Sequence, residues 1–213
     1  HDMALVEEFK VPVLITSYGN PTEYVARVRE QGTTVFHDVI NLKHAKKAQS
    51  AGVDAIIGVA AGAGGHAGKI STYTLIPYLR DNLEVPIIAA GCISTGEQVA
   101  ASLALGAELA YMGTRFIASE ECQAEDAYKQ MVVDAVPEDI VYTDEVSGTH
   151  ANFFKKTVPS HEDFEPGVGG DTGKRWKSIW DSVQNGRTLL LFFFKFFPSF
   201  MSKIRVVFCH RIL

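Results

Sequence analysis

Short apolar runs alternate along most of the chain with stretches in which apolar positions recur every three or four residues. The runs are VPVLITS (11–17), TTVFHDV (33–39), DAIIGVA (54–60), VPIIAAG (85–91) and ELAYMGT (108–114). Apolar nearly throughout and rich in β-branched residues, they predict strands buried on both faces. The stretches between them predict helices with readable ends. PTEYVARVREQG is closed by Gly32, and NLKHAKKAQSAG has Asn41 as N-cap and Gly52 beyond its last turn. STYTLIPYLRDNL (71–83) has Pro77 as its weak point, and TGEQVAASLALGA (95–107) has Thr95 as N-cap. CQAEDAYKQMVVDA (122–135) closes the series. Buried strands alternating with helices mean an α/β fold with parallel strands. Five such units fit an open doubly wound sheet or a (β/α)8 barrel that is incomplete.

Past residue 135 the alternation fades. The stretch from Val136 to Trp180 holds turns and a short strand, expected as an excursion over the face where strand-end loops gather. The segment 187–213 has no Asp or Glu and carries seven of the thirteen phenylalanines. Its apolar run, 188–201, is broken by Lys195 and Pro198. That run falls short of the ~18 residues a bilayer span needs, so no membrane segment is expected. The division that follows is a domain over 1–186 and an atypical basic, Phe-rich tail over 187–213, foreign to the rest of the fold.

Composition narrows the function. With 46% hydrophobic and 21% charged residues the chain reads as globular. A net charge of -5 and a pI near 5.8 argue against a nucleic-acid partner. Cys92, Cys122 and Cys209 form no CxxC pair, which points to a reducing compartment without disulfides or a metal site. No secretory n-region opens the chain, so a cytoplasmic protein is expected. Because residue 1 is His, the natural start is expected upstream.

Chemistry concentrates after the third strand. GVAAGAGGHAGK (58–69) surrounds His66 with five glycines and four alanines. Small residues let a flat or anionic ligand approach the main chain, so His66 is either a surface accident or the loop's one chemical tool. Gly62-x-Gly64-x-x-Ala67 is a loose dinucleotide fingerprint without the acidic residue that should follow about 20 positions on. IIAAGCISTGEQVA and AYMGTRFIASEE both expose amides at a strand end, and together they suggest a phosphate site. Among the other histidines, His37 is either a pocket residue or structural, and His44 and His161 read as surface. His150 has two readings: a position outside the pocket, which is favoured, or a reach into it from the covering excursion.

AGGHAG (63–68), PIIAAGCISTG (86–96), ALGAELAYMGTRFIASEE (104–121) and AYKQMVVDAVPEDIVYTDEVSGTHANF (127–153) resemble the nitronate monooxygenase family. That family was formerly called 2-nitropropane dioxygenase and is similar to the FMN-dependent enoyl-ACP reductases. The resemblance spans residues 5–186 and implies an FMN-binding TIM barrel. It makes 11–17 the fourth barrel strand and 108–114 the eighth, with strands one to three ahead of His1. Residues 11–17 and 108–114 would then be open barrel edges, through which a second copy could pair.

By the same resemblance His66 is the catalytic histidine beside the flavin, and Gly64 and Gly65 back onto its ring. Ala90, Gly91 and Cys92 cradle its phosphate, and Tyr111, Met112, Gly113 and Thr114 complete the cradle. Three positions depart from the family: Cys92 replaces a glycine, Val59 a glutamine, and Asp38 a lysine near the flavin. The activity implied is oxidation of alkyl nitronates or nitroalkanes by O2 to a carbonyl compound and nitrite, with a histidine moving the proton. The alternatives are an NAD(P)H-dependent FMN reductase of quinones or enoyl thioesters, and an inactive half-barrel that only associates with a partner chain.

Overall fold

All five apolar runs form strands, and they lie side by side in one parallel sheet. The structure is a computed structural model that describes residues 2–165 and a strand at 206–208. In chain order the elements are α1 (Asp2–Phe9), β1 (Val13–Thr16), α2 (Thr22–Val28), β2 (Thr34–Val39) and α3 (Leu42–Ser50). Next come β3 (Ala55–Val59), β4 (Gly65–His66), α4 (Thr72–Arg80), β5 (Ile87–Ala90), α5 (Gly96–Ala104) and β6 (Leu109–Met112). The series ends with α6 (Thr114–Ile117), α7 (Asp126–Asp134), β7 (Ile140–Thr143), β8 (Ala151–Phe154) and β9 (Val206–Phe208). The main sheet runs β1-β2-β3-β5-β6-β9, every pair parallel. A second, antiparallel sheet runs β4-β8-β7.

The two faces of the main sheet differ, and this decides between the candidate architectures. One face packs against helices through Val25, Val28, Ala45, Ala48, Leu75, Ile76 and Leu79, with Leu14, Val35, Val39, Ile56 and Ala89 beneath them. The other is lined by Ile15, Ile57, Val59, Ile88 and Ala90, with Phe36, Leu109 and Tyr111 beside them and no helix residue among them. A doubly wound sheet carries helices on both faces, whereas a barrel keeps them outside. The fold is therefore a partial (β/α)8 barrel with an apolar inner face.

Helix ends follow the caps. The Asn41 side chain accepts from the His44 amide, and Thr95 and Gln98 form a capping box at α5. Pro77 does not break α4. Leu75, Ile76 and Leu79 are fully buried, each worth ~1.5–3 kcal/mol against a proline cost of ~3 kcal/mol. The helix expected over 122–135 begins only at Asp126, because Cys122 is held in a turn by Ser119 and Glu125 is extended.

Two further expectations change. The excursion after residue 135 forms two strands, β7 and β8, where one was expected. Residues 108–114 are not an open edge: β9 pairs with β6, placing Val206 opposite Ala110 and Phe208 opposite Met112. Among the described residues β1 is the outermost strand on its side. The boundary at 186/187 and the run 188–201 lie outside the described residues. No described helix is long and apolar enough to cross a membrane.

His37 proves structural. It points with Val35 and Val39 toward the helices, is 3% exposed, and its Nδ1 lies 2.7 Å from the Thr16 hydroxyl. Burial, reinforced by the charge of His44, pushes its pKa down to about 4. In the unfolded chain the same ring binds a proton near pH 6.5, so folding excludes a proton between these values. The stability it secures is complete above pH 6.5 and drains as the pH falls toward 4, by about 3 kcal/mol in all. Thermal melts from pH 7 to 4 should show a steeper decline for the parent than for His37→Gln; equal slopes would refute this.

Candidate active site

The loops after β3, β5 and β6 meet at the C-terminal end of the sheet. Their contact leaves no room for side chains: a Cβ on Gly62 would collide with Cys92 Sγ, and one on Gly64 with Thr114 Oγ1. Both glycines thus serve loop-to-loop packing. Gly91 has φ +112°, and a Cβ there would lie 3.2 Å from the Ala60 carbonyl oxygen and 3.3 Å from Ala63 Cβ. Cys92 follows with φ +56°, uncommon for a residue with a side chain. Its thiol donates weakly to the Ala61 carbonyl at 3.5 Å, and Thr72 Oγ1 donates to the Gly91 carbonyl at 3.3 Å.

These contacts bring together most of the residues singled out in the sequence. Gly64 meets Thr114, and Gly91 and Cys92 meet the glycine loop. Ala90 and Tyr111 belong to the inner face. Met112 packs on the helix side, so only its main chain can serve a ligand at this end. Gly113 caps the short α6. Gly65, with positive φ, starts β4 opposite Asn152. Gln98 Oε1 takes the amides of Ser94 and Thr95, so those two are already engaged within the turn.

His66 is no surface accident. It is 9% exposed and sits in β4, paired with Ala151 of β8. Its Nε2 lies 3.2 Å from Ser147 Oγ in the β7–β8 turn, and Tyr18 meets its ring edge-on with centroids 5.6 Å apart. Tyr18 reaches it from the loop after β1, where its own backbone is left-handed, φ +63°. Asn152 donates its amide to the Ala63 carbonyl at 2.8 Å, and the Tyr142 hydroxyl donates to the Ala67 carbonyl at 3.0 Å. The β7–β8 hairpin thus grips the glycine loop from both sides of His66.

Tyr18, Tyr142, Ser147 and Asn152 were not singled out from the sequence. Ser147 and Asn152 stand within SGTHANF, where His150 drew notice instead. His150 does not meet His66: it stacks on Tyr142 at 5.1 Å and faces Asp144 at 3.9 Å. His44 is exposed at the start of α3, and the half-buried His161 lies 3.6 Å from Asp163. Asp38 shares the inner-face side of β2 with Phe36. Among the described residues no cluster of three His, Cys, Asp or Glu could hold a metal ion.

The chemistry of this end is that of a flat, anion-bearing ligand. Ala63, Ala67 and Ala90 form a small-residue apolar floor, a turn of amides stands at one side, and one buried imidazole stands at the other. A flavin mononucleotide fits that set, with amides for its phosphate and a floor without bulk for its ring, while Asp38, with its buried Oδ1, is a carboxylate on the same inner face.

Comparison with known proteins shows the family and the fold. The family profile described as Nitronate monooxygenase matches residues 2–165. A nitronate monooxygenase of Paraburkholderia phytofirmans is 31% identical over 156 residues, 68% of this chain and 43% of that protein. The structure of FabK from Thermotoga maritima superposes with a TM-score of 0.68 at 38% identity, covering 71% of this chain and 49% of that one. A nitroalkane oxidase from Streptomyces ansochromogenes gives 0.70 at 27% identity, covering 88% and 58%. The chain spans about half the length of the curated relatives it matches.

Proposed function

This chain belongs to the nitronate monooxygenase family, a family of oxidoreductases, and from that premise we propose that it serves FMN-dependent oxidation of alkyl nitronates or nitroalkanes by O2, yielding a carbonyl compound and nitrite. The observation that carries the reading is the meeting of three strand-end loops beside one buried histidine. Family members are in general flavin-dependent, and FMN supplies the chemistry of taking electrons from a nitronate and passing them to oxygen. The amides of Gly91 and Cys92, with Gly113 and Thr114, hold its phosphate. Gly64, Gly65 and the alanine floor receive its ring, and Ala90 and Tyr111 bound it on the inner face. His66 takes the proton from the carbon beside a nitro group, or holds the nitronate already formed. Tyr18 closes the histidine's side toward the β1 loop.

The test is purified protein loaded with FMN and given a nitronate in air, with nitrite and oxygen uptake measured together. Nitrite formed in step with oxygen consumption is the expected result. The 38% identity to FabK favours a second reading, an NAD(P)H-dependent reductase on the same scaffold. Anaerobic NADH separates the two, because a reductase bleaches its flavin with NADH and a nitronate oxidase does not. Protein that stays colourless and rejects FMN would defeat both readings.

A further inference from the structure

Ser147 is 5% exposed and makes two contacts with one hydrogen to give. Its Oγ lies 3.0 Å from the Thr149 carbonyl oxygen and 3.2 Å from His66 Nε2. A carbonyl oxygen only accepts, so the shorter contact uses the hydroxyl hydrogen. Toward His66 the serine then offers a lone pair, and the hydrogen in that bond comes from Nε2. A neutral imidazole carries one N–H. We propose that Ser147 is a positioning residue that holds His66 in the tautomer protonated on Nε2, which puts the basic lone pair of the neutral ring on Nδ1.

The surroundings favour a fixed relation between the two groups. His66 is locked in β4 by its pairing with Ala151, on the strand that follows the Ser147 turn. That turn is itself tied down: the Gly148 amide donates to the Asp144 carbonyl at 2.7 Å, and the Glu145 amide to Thr143 Oγ1 at 3.2 Å. Tyr18 abuts the imidazole at 89°. One hydrogen bond of ordinary strength biases two tautomers by about fivefold. The consequence for catalysis rests on the reading of His66 as the proton-moving group; the tautomer itself does not depend on it.

The tautomer is readable in the full chain without substrate or flavin. Ring-15N-labelled histidine gives distinct long-range proton–nitrogen patterns for the two neutral forms, and the His66 signals are those lost in His66→Gln. The parent is expected to show the Nε2–H pattern. Ser147→Ala should raise the Nδ1–H form relative to it by about fivefold, while Ser147→Thr, which keeps the hydroxyl, should retain the parent pattern. If Ser147→Ala does not fold, Ser147→Cys, a weaker acceptor of similar size, takes its place. A parent found mainly as Nδ1–H, or an unchanged ratio in the Ala or Cys variant, overturns the proposal. A tautomer that shifts as expected in a protein without nitronate turnover would sink the functional reading and leave this one standing.

Discussion

His66→Asn is expected to lower turnover of a neutral nitroalkane by ~10²–10⁴-fold, the usual worth of a positioned acid–base group. FMN should still bind, because every group assigned to its phosphate and ring lies elsewhere in the loops. Turnover of a pre-formed nitronate should fall far less, since that substrate has already lost the proton His66 would remove. The two substrates therefore separate proton transfer from binding. Equal losses on both would mean that the histidine holds the anion or positions the flavin. No loss on either would leave this buried imidazole, gripped by Ser147 and Tyr18, without a chemical task.

The second large effect is expected at Gly91. Its φ of +112° is a conformation that side chains rarely adopt, and a Cβ would press on the Ala60 carbonyl at 3.2 Å. The Ala60 main chain cannot easily retreat, because its amide is bonded to the Ala90 carbonyl at 2.9 Å. Gly91→Val forces the turn into another conformation, and restoring the native one for a phosphate costs ~1–3 kcal/mol. Flavin fluorescence titration should show FMN bound about 5- to 150-fold more weakly, with the helical circular dichroism signal retained. Gly96→Ala is the control: a Cβ there meets nothing within 4 Å, and affinity should not change. A Gly91→Val protein that binds FMN like the parent would remove this turn from the cofactor site.

The parallel sheet was legible in the sequence because strands buried on both faces leave unbroken apolar runs; β3 is buried at all five positions. Helix ends were legible where a side chain caps them, as Asn41 and Thr95 do. β4 was not, since two residues, Gly65–His66, have no periodicity and become a strand only through pairing with β8. His37 was ambiguous for a related reason: the chain tells that it stands in a strand but not which face it takes. At the site, glycines and the one histidine stood out by composition. Ser147 and Tyr18 did not, because a serine in a turn and a tyrosine in a loop are ordinary until the fold sets them against the same imidazole. Asn152 likewise acquires its meaning only from the Ala63 carbonyl, 89 positions away.

That distance bears on the order in which the molecule assembles. From β1 to β6 the neighbouring strands of the main sheet meet across short stretches, Thr16 and His37 being 21 residues apart, whereas β9 joins β6 from much farther along the chain. The grip of the hairpin on the glycine loop spans 81 residues at His66–Ser147. Closing a loop about four times longer costs only about 1 kcal/mol more entropy, but it cannot be rewarded until α4, β5, α5 and β6 are in place. The sheet from β1 to β6 can therefore form before the hairpin seats on the glycine loop. Opening runs the same course in reverse: the hairpin can lift from the glycine loop while the sheet's own ladders stay closed. Amide hydrogens at Gly65 and His66 then exchange with solvent sooner than those of β3, and His66 keeps its surroundings only as long as the hairpin is seated.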